Sequence, residues 1–351
     1  MNVLVVGAGA IGGYVGARLA LAGHAVTFVG RLPLADAVAA HGLRLIEPDA
    51  RHVITDCRAV TTLETAFAGA PHFDLALFTV KTYDTQAAID GLRPYAQHID
   101  RFLSLQNGVS SEEWLGAAFG RDRILAGTIL NPISIREPGV VVLEKRQGGI
   151  GLSALTKQPT DQLANPLRQA GFKVRTYADY RSMKWSKLLL NLIGNATSAI
   201  LDLNTMQVFA DKRLFTIEMA ALREALQVGR ACGIRFVSLP GYPVPLLVVA
   251  VRLLPLPVLQ PLLIPLVAKG RGSKMPSLHI DLHGDKRRSE IDELNGAVAR
   301  AGAQRNLSTP ANNLLLSTFQ EVQAGPASRS SWRHRADRLW LAYVTQSAKS
   351  A

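Results

Sequence analysis

The sequence predicts an α/β fold: an N-terminal doubly wound parallel sheet followed by an all-helical C-terminal domain. Three observations lead there. A glycine-rich turn, Gly7-Ala8-Gly9-Ala10-Ile11-Gly12, sits between an apolar strand and a helix at the N-terminus. Strand-like and helical stretches then alternate to about residue 130, the order that builds a Rossmann-type sheet covered on both faces. From Tyr180 onward the apolar periodicity is helical almost throughout.

The elements follow in order. Asn2 to Val6 is an apolar strand bounded by glycine, Ile11 to Ala22 a helix ending at Gly23, and His24 to Val29 a second strand. Strands are expected at Leu75 to Val80, Phe102 to Leu105 and Ile124 to Leu130, with helices from about Thr85 and Ser110. Pro132 to Arg136, Val140 to Glu144 and Gly149 to Leu152 read as antiparallel strands closing the sheet edge, the first two joined by Glu137-Pro138-Gly139. Leu188, Leu189, Leu192 and Ile193 form one helical stripe, and Leu214 to Ala231 a long helix. The expected division is residues 1–179, a dinucleotide-binding domain, 180–325, a helical substrate domain, and 326–351, a basic tail.

Val244 to Ala268 is almost wholly apolar, interrupted by Arg252, Gln260 and prolines at 245, 255, 257, 261 and 265. Its length would permit a membrane span, but each proline removes a backbone hydrogen bond that hydrocarbon cannot replace. Two apolar helices joined around Leu254-Pro255-Leu256-Pro257 are expected, with no integral membrane segment. They would pack in the helical domain, line a homodimer interface, or touch a membrane surface.

Composition narrows the class. Hydrophobic residues make up 48% and charged residues 19%, a globular balance rather than a disordered one. Two cysteines, Cys57 and Cys232, exclude a disulfide framework and a cysteine-rich metal site and fit a reducing, cytoplasmic location. The N-terminus lacks a basic region before its apolar run, so it reads as a strand and turn rather than a signal peptide. A net charge of +12 suits the attraction of anionic ligands and equally a plain basic surface. The tail Arg329 to Arg338 with Trp332 and Trp340 is too short for a nucleic-acid interface.

In the glycine turn, Gly7 allows the tight exit from the strand, Gly9 lets a pyrophosphate approach the backbone, and Gly12 lets helix and sheet pack closely. The pyrophosphate then lies on the free N–H groups and positive dipole end of the helix. The expected class is a soluble nicotinamide-dependent oxidoreductase. An acid at the end of the second strand would bind a ribose hydroxyl. Here Phe28-Val29-Gly30-Arg31 places an arginine there, with no acid before Asp36, which selects NADPH. Val80-Lys81-Thr82 and Leu105-Gln106-Asn107-Gly108 follow two further strands and so face the ligand crevice. Lys187, Asn191 and Asn195 lie at i, i+4 and i+8, an amine and two amides on one expected helix face. A satisfied helix–helix contact would show the same stripe. No metal is expected: His279, Asp281 and His283 lie close together but read as a solvated loop.

Together these residues resemble the ketopantoate reductases (2-dehydropantoate 2-reductases) over roughly residues 1 to 323. The resemblance rests on the glycine turn, Gly30-Arg31, Val80-Lys81, Gln106-Asn107-Gly108, Lys187…Asn191…Asn195, and Ser289-Glu290-Ile291-Asp292…Leu294-Asn295-Gly296. It implies a helical domain like the C-terminal fold of 6-phosphogluconate dehydrogenase. It also implies that Lys187 is the general acid and Glu290 its catalytic partner, with Asn107, Asn191, Asn195 and Ser277 as substrate ligands. Cofactor contacts implied are Gly7, Gly9, Ala10, Ile11, Gly12, Arg31, Lys81, Asn107 and Glu290. The chemistry agrees: ketone reduction places negative charge on oxygen, and a positioned cation stabilises and protonates it.

The chain departs from the family pattern at Lys274, where an asparagine is common, and in a stretch from Ser277 to Glu290 one residue longer than usual. The apolar insert and basic tail are additions. The leading expectation is NADPH-dependent reduction of 2-dehydropantoate to (R)-pantoate, a step of pantothenate biosynthesis. A different 2-keto acid, or a non-catalytic NADPH-binding sensor, are the alternatives. A sensor has no need of both Lys187 and Glu290.

Overall fold

β-branched and apolar runs become the parallel strands, and the glycines between them become the turns. The computed structural model describes residues 1–271, 275–284 and 288–350. The chain divides into two compact units, Met1–Lys184 with Leu239–Tyr242, and Trp185–Ser238 with the described residues from Pro243 onward.

The first unit runs β1 (Asn2–Val6), α1 (Ala10–Leu21), β2 (Ala25–Val29), α2 (Leu32–His41), β3 (Leu43–Glu47), β4 (Ala50–Ile54), β5 (Cys57–Val60) and α3 (Leu63–Ala66). It continues through β6 (Phe73–Phe78), α4 (Thr85–Leu92), β7 (Ile99–Ser104), α5 (Ser111–Phe119), β8 (Ile124–Ile129), β9 (Ile133–Glu137), β10 (Val140–Leu143), β11 (Ile150–Ala154), α6 (Asp161–Gln169) and β12 (Val174–Thr176). The main sheet has the order β12-β11-β8-β7-β6-β1-β2-β5. Neighbours are parallel throughout except β11, which runs antiparallel to β8. The strand order reverses at β1, which is flanked by β2 and β6 with Val6 opposite both Val29 and Phe78. Chain leaving β1 and β6 therefore enters the crevice where such sheets bind ligands. Val3, Val5, Phe28, Leu77 and Leu103 are fully buried beneath it.

One expectation is corrected. The hairpin β9–β10 does not close the main sheet; it joins β3 and β4 in a second sheet of order β4-β3-β10-β9. Packing explains it. Val140 to Leu143 are all buried, and Val141 approaches the bare backbone of Gly13 on α1 so closely that an added Cβ would lie 2.8 Å from its Cγ2. The hairpin covers the helix instead of extending the strands.

The second unit is helical. α7 (Tyr180–Leu192) crosses the boundary between the units, and α8 (Asn195–Leu201), α9 (Thr205–Ala210) and α10 (Lys212–Ala231) follow. Then come α11 (Val244–Leu253), α12 (Leu256–Arg271), α13 (Ser277–His283), α14 (Asn295–Ala303), α15 (Pro310–Gln323), α16 (Pro326–Trp332) and α17 (Ala336–Ser350). The stripe Lys187–Asn191–Asn195 is not one helix. Gly194 adopts the left-handed conformation (φ 61°), ends α7 and starts α8. Its N–H donates to the buried Glu218 carboxylate at 2.7 Å, which fixes the break.

The apolar stretch from Val244 forms two helices that meet at Leu254-Pro255, where Arg223 donates to the carbonyls of Val251 and Leu254 at 2.9 and 3.2 Å. Val251 and Leu259 are buried, whereas Leu246, Val249, Leu253 and Leu266 are exposed. Among the described residues, no helix is long and apolar enough to cross a membrane. The segment after Gln323, expected as a tail, forms α16 and α17. Trp332 and Leu339 are buried, and Trp332 Nε1 donates to Glu321 at 2.9 Å.

Candidate active site

The turn after β1 is held from three sides. Gly7 has φ 95°, a conformation that favours glycine, and the N–H groups of Gly7 and Ala8 donate to the Val29 carbonyl at 3.2 and 3.3 Å. The Thr79 hydroxyl donates to the carbonyls of Val6 and Gly7 at 3.1 and 2.8 Å. A Cβ on Gly7 would lie 2.5 Å from Val80 N, and one on Gly12 would lie 2.4 Å from Thr79 Oγ1. At Gly9 a Cβ would meet nothing within 4 Å. Gly9 is also the N-cap of α1, with no side-chain cap bond and no acid in the first turn. Ala10 and Ile11 begin that helix. Open space in front of an uncapped helix N-terminus suits a diphosphate, so the residues present fit a dinucleotide.

The neighbouring strand ends supply polar groups. Arg31 follows β2 in extended backbone and leads into α2. Its side chain is exposed, and its guanidinium has no ion pair among the described residues. Lys81 is half-buried beyond β6, at the start of a 3-10 turn over Thr82–Asp84. Asn107 is half-buried beyond β7. Gln106 Nε2 ties these two loops together by donating to the Val80 carbonyl and the Thr85 hydroxyl, each at 2.8 Å.

Sequence reasoning missed what holds the second loop. Lys184 Nζ donates to the Gln106 carbonyl at 2.7 Å and lies 2.7 Å from Glu112 Oε1. Both side chains are essentially without solvent contact, 1% and 0% exposed. This buried ion pair braces the backbone that carries Asn107. Nothing in the sequence separates Lys184 from Lys187, one helical turn later; only burial assigns the first to structure.

In the second unit Lys187 and Asn191 are half-buried and one turn apart on α7. Asn195 is buried at the start of α8. Its Nδ2 donates to the Asn191 carbonyl at 3.1 Å and to Ser277 Oγ at 3.4 Å, and its Oδ1 accepts from Leu278 N–H at 3.1 Å. Three of the expected substrate ligands are thus brought together, with Asn195 also tying down the start of α13. Glu290 is 3% exposed and precedes a 3-10 turn over Ile291–Glu293. Lys274 lies outside the described residues. The solvated-loop reading of His279 to His283 is corrected: both histidines belong to helix α13.

A glycine turn at the switch point of a doubly wound sheet, opening an uncapped helix, defines a dinucleotide-binding protein of the oxidoreductase type. The sequence comparison carries this further. The family description "Ketopantoate reductase PanE/ApbA" matches residues 3–157, and its C-terminal counterpart matches residues 179–323. The chain belongs to the ketopantoate reductase PanE/ApbA family of NAD(P)-dependent oxidoreductases. It is 28% identical over 319 residues to a 2-dehydropantoate 2-reductase of Pyrococcus horikoshii, covering 90% of this chain and 95% of the relative. Among solved structures it resembles a PanE/ApbA family ketopantoate reductase from Ralstonia eutropha, with TM-score 0.78, 28% identity, and coverage of 92% and 99% of the two chains. A D-mandelate dehydrogenase solved with NADH and anilino(oxo)acetate shares the fold, with TM-score 0.77, 20% identity, and coverage of 95% and 99%.

Proposed function

We propose that this chain reduces a 2-keto acid with NADPH, and that the acid is 2-dehydropantoate, giving (R)-pantoate. The near full-length match to a curated 2-dehydropantoate 2-reductase carries this reading. Bound NADPH would supply the hydride that reaches the keto carbon. The N–H groups of Ala10, Ile11 and Gly12 hold its diphosphate, Gly7 and Gly9 shape the turn that lets it approach, and Arg31 takes the 2′-phosphate in a charge-assisted contact. Lys81 and Asn107 add cofactor contacts from the loops beyond β6 and β7.

Lys187 is the proton donor. As the keto oxygen gains charge, its ammonium stabilises that charge and delivers the proton, leaving a hydroxyl on the product and a neutral amine on the enzyme. Glu290 holds the ammonium and the substrate hydroxyl, and also contacts the cofactor. Asn107, Asn191, Asn195 and Ser277 bind the substrate. In this scheme Asn195 has a second task, because the amide that contacts Ser277 also sets the start of α13. A different 2-keto acid is the second reading. Lys274 favours it, since a lysine in place of the family's usual asparagine suits a second anionic group on the substrate.

The test is NADPH oxidation against a panel of 2-keto acids, with Lys187→Ala as the control. Turnover of 2-dehydropantoate far above its analogues is expected, with loss of turnover in the variant. Equal rates across the panel would remove the substrate assignment, and full activity in Lys187→Ala would remove the mechanism.

A further inference from the structure

The end of α8 gathers three metal-ligating side chains that the proposed reduction does not use. Asp202 closes that helix in the left-handed conformation (φ 53°, ψ 45°). From there its Oδ1 meets His279 Nε2 at 2.8 Å. His279 and His283 stand four residues apart on α13, on one side of the helix, with ring centroids 4.1 Å apart and planes 20° from parallel. One donor atom from each of the three residues lies within 4.8 Å of the others. Ligand bonds of about 2.0–2.2 Å close such a span with small rotamer changes. Asp281, two residues beyond His279, lies on another side of the helix and is not part of the group.

The outer partners are those a metal site needs. The backbone of Ala199 lies beside the His283 ring, placed to engage one ring nitrogen and leave the other for a ligand bond. Arg333 Nε lies 2.9 Å from Asp202 Oδ2, so the carboxylate is oriented through one oxygen while the other faces His279. His283 is exposed, giving an ion a path in and room for water.

We propose that Asp202, His279 and His283 bind one divalent transition-metal ion, zinc by the character of the two-imidazole, one-carboxylate donor set, with water completing the coordination. The ion would clamp α13, which begins at Ser277, to the end of α8. The inference is independent of the reductase reading, because its readout is metal binding.

Untagged full-length protein, stripped with chelator, is titrated with Co2+ and then Zn2+. One equivalent of Co2+ is expected, with visible absorption bands that Zn2+ abolishes and a melting temperature that rises with free metal. His283→Ala, at an exposed position, and His279→Gln should weaken binding by about 100-fold or more, given that loss of outer partners alone costs about 10–100-fold. Their metal-free melting curves report whether each variant is folded. Absence of Co2+ binding in the wild type would overturn the proposal. So would an unchanged stoichiometry and spectrum in folded His283→Ala, which would place the ion elsewhere among the eight histidines.

Discussion

Replacing Glu112 by glutamine should cost the protein far more stability than its neutral chemistry suggests. The variant leaves the Lys184 ammonium, 1% exposed, with no counter-charge and only neutral acceptors, among them the carbonyls of Gln106 and Gly127 at 2.7 and 3.5 Å. Breaking a buried pair by removing one partner costs about 3–5 kcal/mol, because the remaining charge is desolvated without compensation. For a unit of this size each kcal/mol lowers the melting temperature by about 2–4 °C, so Glu112→Gln should melt roughly 10 °C lower in differential scanning calorimetry. The double variant Glu112→Leu with Lys184→Met removes both charges and should recover most of that loss. It also frees the Gln106 carbonyl, so at near-normal stability it should raise KM through the Asn107 loop. A single variant that melts within about 2 °C of wild type, as ordinary surface changes do, would refute the assignment of this pair as a buried brace.

Gly9→Ala should fold and melt like wild type, since its Cβ meets no protein atom within 4 Å, yet bind NADPH at least about tenfold more weakly because the methyl occupies the diphosphate's approach; unchanged affinity would exclude the turn as the cofactor site. Gly7→Ala should instead lose stability, measurable by denaturant unfolding, because it combines a φ of 95° with a Cβ 2.5 Å from Val80 N. Arg31→Ala should raise KM for NADPH by about tenfold or more, the scale of a hydrogen bond to a charged group, and leave KM for NADH unchanged. Burial raises the Glu224 carboxyl above its ordinary pKa, despite hydrogen bonds from Ala311 N–H, Asn312 N–H and Asn312 Nδ2 at 2.8, 2.9 and 2.7 Å. An acid with a raised native pKa holds its proton more tightly when folded. Its contribution is therefore fully present below the unfolded pKa and is lost as pH rises through the folded one. Subtracting the stability–pH curve of Glu224→Gln from that of wild type should leave this decline, and a rise would contradict it.

Strands β1, β2, β6, β7 and β8 were legible because each carries an apolar run, as parallel strands buried on both faces must. β3 and β4 were not, because Leu43-Arg44-Leu45-Ile46-Glu47 and Ala50-Arg51-His52-Val53-Ile54 mix charge into short strands of a side sheet. The pairing of β3 with β10 joins residues nearly a hundred apart, which local pattern cannot reveal. The hairpin Ile133 to Leu143 was found, but its sheet depends on where α1 leaves backbone uncovered. The polar spacing on α7 was legible; its interruption at Gly194 was not, because the glycine's left-handed turn is held by Glu218, which lies far along the chain. The same holds for Asp202 with His279 and for Glu112 with Lys184: spacing finds partners on one helix, not across helices.

The helix α1, proposed above to receive the diphosphate, is pinned by its own bareness. Added Cβ atoms on Gly12, Gly13 and Gly16 would strike Thr79, Val141 and Phe28 at 2.4, 2.8 and 2.4 Å, so three separate elements press directly on its backbone. Such a helix cannot slide or tilt to suit a different ligand without unpacking both sheets of its unit. On the proposed cofactor reading, variation is thereby channelled: the diphosphate grip stays fixed, and changes in cofactor choice accumulate at the rim, in Arg31 and the exposed start of α2. An engineer seeking an NADH-preferring enzyme should mutate there and leave the glycine face alone.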